Sequence, residues 1–66
     1  MDIKVNGESV SIAEPMTVEQ VLDTVEVPPN YLAVEVNAEV VPREQYGCWM
    51  IHQGDELEVV TLVGGG

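Results

Sequence analysis

Near both ends of the chain hydrophobic residues alternate with polar ones, and between them they recur at helical spacing. In MDIKVNGESVSI, Ile3 and Val5 alternate with Asp2 and Lys4, and Val10 and Ile12 alternate beyond Asn6-Gly7. Asn-Gly is a strong two-residue turn signal, because both residues tolerate positive φ. This stretch reads as a β-hairpin, broken by Ala13, Glu14 and Pro15.

The period then changes. Val18, Val21, Leu22 and Val25 fall at i, i+3, i+4 and i+7, which is one apolar stripe on a helix. Thr17 is placed as its N-cap, with Gln20 completing a capping box and Glu19 in the first turn, where the helix dipole favours a carboxylate. The β-branched valines lower helix propensity, so tertiary packing has to hold this helix. Pro28-Pro29 ends it.

Period two returns in YLAVEVN. Leu32, Val34 and Val36 are expected on one face, with Ala33, Glu35 and Asn37 on the other. Asn37-Ala38 begins a turn, and Val40-Val41 form a short extended piece before Pro42. REQYGCWMI reads as a loop with tight helical turns, anchored by Tyr46, Trp49 and Ile51. Gly54-Asp55 is a turn, and ELEVVTLV is the last strand.

One helix among these strands implies an α+β domain, with the valine stripe buried on one face of a mixed sheet. Pairing the first and last strands in parallel at the centre would make it a β-grasp fold. The expected division is a domain over residues 1–63 and a glycine tail over residues 64–66.

Size narrows the function. A chain of 66 residues has one core, and a domain this small buries about 60% of its extended surface on folding. A large substrate cavity would consume that core, which weighs against a self-contained enzyme. Two basic and twelve acidic residues give a net charge of −10. That charge disfavours nucleic acid and anionic membranes and suits a partner with a positive docking surface. The single Cys48 excludes an internal disulfide and a cysteine-rich zinc site. Met1-Asp2 is followed by no apolar signal segment, and no run reaches transmembrane length, so a cytoplasmic location is expected.

The stretch VEVNAEVVPREQY, the later GDELEVV and the terminal glycines together resemble the ThiS-type sulfur carrier proteins of thiamine biosynthesis. The resemblance spans nearly the whole chain in length and element order. NAEVVPRE, residues 37–44, is its more specific part, since a glycine end is common to a wider ubiquitin-like group. The resemblance implies that an E1-like, ThiF-type enzyme uses ATP and magnesium to adenylate the carboxylate of Gly66. A sulfur donor system would then convert it to a thiocarboxylate for a ThiG-type thiazole synthase. The chain itself would bind no cofactor stably and would serve as a protein co-substrate. Gly65 and Gly66 match the family's terminal pair, and Gly64 is an additional glycine. Two other functions are compatible with the same end: the small subunit of a molybdopterin synthase, and a ubiquitin-like modifier or binding module.

The tail suits that chemistry. A carboxylate is a poor electrophile and has to be presented inside a partner's active site. Glycine has no Cβ, so the tail can pass a narrow channel, and three extended residues reach roughly 10 Å. On the last strand, Leu57, Val59, Thr61 and Val63 are expected to face the helix. Val60 and Leu62 then face outward, joined by Ala33, as an apolar docking patch beside the tail. Arg43 is expected to pair with Glu44, Glu39 or Asp55, or to contact a partner. Cys48 and His52 are read as incidental to the chemistry, and Asp55 as support for its turn. With one histidine and scattered carboxylates, no metal site is expected. Without GxxxxGK or GxGxxG, neither is nucleotide binding by the chain itself.

Overall fold

The structure is a computed structural model and describes residues 1–61. Its elements run β1 (Asp2–Val5), β2 (Glu8–Ser11), β3 (Met16–Thr17), α1 (Val18–Thr24), β4 (Ala33–Val36), β5 (Glu39–Val41), a 3-10 turn (Arg43–Gln45), β6 (Met50–Ile51) and β7 (Glu56–Val60). A five-stranded sheet has the order β2-β1-β7-β4-β5, and β3 and β6 form a second, two-stranded sheet. β1 and β7 pair in parallel, with Lys4 opposite Glu56 and Val5 opposite Leu57. The expected β-grasp arrangement is therefore present, with the first and last strands adjacent.

The local signals explain the elements. Asn6 and Gly7 take φ of 52° and 83°, which closes the β1–β2 hairpin with Val5 opposite Glu8. Reciprocal bonds between Met1 and Ile12, 2.7 and 2.8 Å long, extend the pairing past both strand ends. The Asn6 side chain then reaches β7, where its Oδ1 accepts the Val59 amide at 2.8 Å. A second two-residue loop joins β4 to β5, with Asn37 and Ala38 at φ of 52° and 70°.

The capping box is formed: the Gln20 amide donates to Thr17 Oγ1 at 3.2 Å, and the Thr17 amide to Gln20 Oε1 at 2.9 Å. Two further amides at the helix start find carbonyls in the loop beneath, Val18 to Trp49 and Glu19 to Tyr46, both at 2.9 Å. The first turn is thus satisfied by its own cap and by tertiary contact. The helix stops at Thr24, whose hydroxyl donates back to the Gln20 carbonyl, and Val25 is already extended.

The core lies between α1 and one sheet face. Ile3, Val18, Val21, Val34, Val41, Ile51 and Leu57 are its most buried side chains. The expected stripe needs one correction. Val18 and Val21 are buried, but Leu22 and Val25 are half-buried. The helix is only seven residues long, and Leu22 lies at its margin on a shallow groove shared with Val25, Val27 and Pro28. Leu32 is also misplaced by the alternation: it is 53% exposed. It precedes β4, whose register begins at Ala33, so the strand's inward–outward alternation does not reach it. Tyr46 and Ile51 are buried anchors, as expected, and Trp49 is half-buried.

Candidate functional site

The candidate site is the sheet face turned away from α1, together with the chain that leaves β7. Alternation along β7 sends Leu57 and Val59 into the core and leaves Glu56, Glu58 and Val60 on the other side. Along β4, Val34 and Val36 go inward, and Ala33 and Glu35 outward. The antiparallel register then brings outward residues together. Ala33 lies opposite Val60, Glu35 opposite Glu58, and Val40 of β5 opposite Glu35. The expected grouping of Ala33 with Val60 is therefore real. Leu62, Gly64, Gly65 and Gly66 lie outside the described residues, as do Val63 and the proposed domain–tail boundary. β7 ends at Val60, and Thr61 lies beyond it.

The face combines apolar and acidic character. Val40 is 59% exposed, and exposed Leu32 adjoins the Ala33–Val60 pair in sequence. Two glutamates directly opposite each other repel in a sheet, and no basic side chain is salt-bridged to either among the described residues. Lys4 is opposite Glu56 and Ser9, two positions along β7 from Glu58. The other base, Arg43, is engaged elsewhere. Glu35, Glu58 and Val40 were not singled out as site residues by sequence. Their outward phase was readable, but only the register makes them neighbours.

Arg43 departs from the expected ion pairs. Its Nη2 donates to the backbone carbonyls of Tyr31 at 2.9 Å and Leu32 at 3.3 Å. The guanidinium lies 4.9 Å from the centroid of the Tyr31 ring and 6.0 Å from that of Tyr46. The two rings stack with centroids 6.5 Å apart. Three carboxylates offered by sequence lose to two carbonyls and two aromatic faces, because the 3-10 turn after Pro42 aims Arg43 at the Tyr31–Leu32 segment. Burial pushes the Tyr46 hydroxyl pKa above 10.0; Tyr31 adds to this, and Arg43 and the Val34 backbone oppose it. This buried hydroxyl has no hydrogen-bond partner among the described residues.

The remaining candidates are peripheral. Cys48 is exposed, and its Sγ donates to the Gln45 carbonyl at 3.5 Å. The His52 side chain is 67% exposed and lies 4.0 Å from Asp55 Oδ2. Asp55 supports its turn as expected, since the same Oδ2 accepts the His52 amide at 2.8 Å. Among the described residues, no three His, Cys, Asp or Glu side chains converge to hold a metal ion, and no helix is long and apolar enough to cross a membrane.

The model of the ThiS family matches residues 3–66. The chain belongs to the ThiS family. A crystal structure of the thiamine biosynthesis protein ThiS from Geobacter metallireducens superposes with a TM-score of 0.84, at 33% identity and over 100% of both chains. The sulfur carrier protein ThiS of Escherichia coli is 27% identical over the full length of both. A thiazole synthase of Paramagnetospirillum magneticum is 39% identical over the whole of this chain, which spans only 20% of that protein. The ThiS-like segment is thus part of a much longer polypeptide in that relative.

Proposed function

We propose that this chain is a sulfur carrier of thiamine biosynthesis that works as a protein co-substrate through the carboxylate of Gly66. The observation that carries the reading is the family match, which runs from residue 3 through Gly66 and so includes the glycine end. In the first step a carboxylate oxygen attacks the α-phosphorus of ATP and expels pyrophosphate, leaving an acyl-adenylate. An E1-like, ThiF-type enzyme would supply the nucleotide site and magnesium. In the second, sulfur at the oxidation level of hydrosulfide attacks the acyl carbon and expels AMP, leaving a thiocarboxylate and a proton. A donor system would provide the sulfur.

A thiazole synthase would consume the thiocarboxylate. The ThiS-like segment within a thiazole synthase chain of P. magneticum supports this partner over a molybdopterin synthase. The open face supports a docking role. Ala33, Val60 and Val40 offer apolar contact, and Glu35 and Glu58 offer two carboxylates to a basic surface. A positive partner would relieve their mutual repulsion and be steered by the net charge of −10.

Complementation tests the function. In a bacterium lacking its own ThiS-type carrier, this chain should restore growth without added thiazole, and a version lacking Gly66 should not. Equal rescue by both, or rescue of molybdopterin synthesis alone, would reject the reading.

A further inference from the structure

β7 ends at Val60, and Arg43 is tied to that strand end through the backbone of Leu32. Arg43 Nη2 holds the carbonyls of Tyr31 and Leu32. The Leu32 amide in turn donates to the Val60 carbonyl at 2.7 Å. Val60 is the last residue of β7, and six residues separate it from the end of Gly66. The Leu32–Val60 bond lies just beyond the β4–β7 ladder, next to the Ala33–Val60 pair. It adds one backbone bond at the end of the ladder in which Val60 already pairs with Ala33.

We propose that Arg43 is a positioning residue for the reactive terminus, acting by clamping the Tyr31–Leu32 backbone that holds Val60 in the sheet. The inference rests on the carrier reading of Gly66. In the Tyr31–Leu32 strap, Leu32 is exposed, Tyr31 is half-buried against the edge of the core, and a segment containing Pro28-Pro29 leads into both. A planar guanidinium is well matched to such a strap. One end of it reaches two successive carbonyls, and its central carbon lies over the rings of Tyr31 and Tyr46. A lysine has the charge without the fork or the plane. When the clamp is lost, the end of β7 at Val60 is held less firmly, and that residue has to be ordered when the carboxylate enters the partner's active site. Ordering one backbone residue is opposed by about 1–2 kcal/mol of conformational entropy, which converts to about a 5- to 30-fold rate loss. The loss falls on productive insertion after docking.

The test uses the full chain, Arg43→Met and Arg43→Lys, first without enzyme and then with the cognate activating enzyme and ATP. Amide hydrogen exchange followed by NMR reads the clamp directly. In Arg43→Met the Leu32 amide should exchange at least about tenfold faster, with Val59 protected as in the parent. In adenylation kinetics kcat should fall about 5- to 30-fold with KM changed less than about threefold. Arg43→Lys should lie between parent and Met in both readouts, and it decides the matter if Arg43→Met fails to fold. A protected Leu32 amide in the mutant overturns the proposal. So does a faster Leu32 amide with unchanged kcat, which would make the clamp structural only. A rise in KM at constant kcat would make Arg43 a partner contact and also overturns it. If the parent chain is not adenylated, the carrier reading falls and takes this inference with it; an adenylated parent with an indifferent Arg43 removes the inference alone.

Discussion

The side-chain amide of Asn37 donates to Oδ1 of Asp55 over 3.0 Å, tying the tip of the β4–β5 hairpin to the turn that opens β7. Asn37 Oδ1 accepts the Glu56 amide at 3.1 Å, and the backbone amide of Asn37 donates to the Glu56 carbonyl at 2.8 Å. Asp55 closes the arrangement by accepting the His52 amide. Asp55→Ala removes both acceptors at once. It should cost about 1–2 kcal/mol, since bonds to a charged group exceed neutral ones but this one is partly solvated. Urea denaturation at neutral pH measures it, and a loss under about 0.3 kcal/mol would show that the carboxylate is replaceable by water.

The same hairpin carries local strain. Ala38 sits at φ of 70°, in the left-handed region where its Cβ crowds the backbone. That conformation costs an L-residue roughly 1–2 kcal/mol, and glycine gives back about 0.5–1 kcal/mol through greater freedom when unfolded. Ala38→Gly should therefore raise stability by up to about 1.5 kcal/mol. A lowered denaturation midpoint would contradict it.

Burial separates two leucines that sequence alone ranks alike. Leu57 is 1% exposed at the centre of the sheet, and Leu22 is half-buried at the groove margin. Leu57→Ala should cost about 2–5 kcal/mol, and Leu22→Ala less than about half of that. Equal losses in chemical denaturation would mean that the helix is docked more deeply than the structure has it.

The period of the hydrophobic residues, the capping pair Thr17 and Gln20 and the Asn6-Gly7 turn were all legible because each is a local signal. β3 and β6 were not. Two residues cannot display a period, and the pairing of Met16 with Ile51 is a tertiary event. Leu22 and Leu32 misled for related reasons: helical and strand phases say which way a residue points, not where the element stops. Of the site, the outward phase of Ala33 and Val60 was readable. The Glu35–Glu58 opposition needed the register, and the carbonyl partners of Arg43 needed the fold of a loop.

Docking can be probed at Val60 without disturbing the core, since it lies on the open face opposite Ala33. Val60→Lys replaces apolar contact with a charge that a basic partner repels. Its affinity for the activating enzyme should drop at least about tenfold, with the drop in part relieved by added salt. Calorimetric titration, with circular dichroism to verify the fold, makes the measurement. Parental affinity in a folded variant would remove this face from the interface.

The central claim is that sulfur is carried on Gly66. Incubation with ATP, magnesium, the activating enzyme and a sulfur source, followed by intact and fragment mass spectrometry, tests it most directly. The account predicts the exchange of one oxygen for one sulfur, confined to fragments containing Gly66, undiminished in Cys48→Ser and strongly reduced when Gly66 is deleted. Deletion draws the carboxylate back by about 3.5 Å, and even about 1 Å of misplacement can cost roughly 100-fold in rate. Sulfur found on Cys48, or a deletion variant that forms thiocarboxylate at the parental rate, would contradict the account.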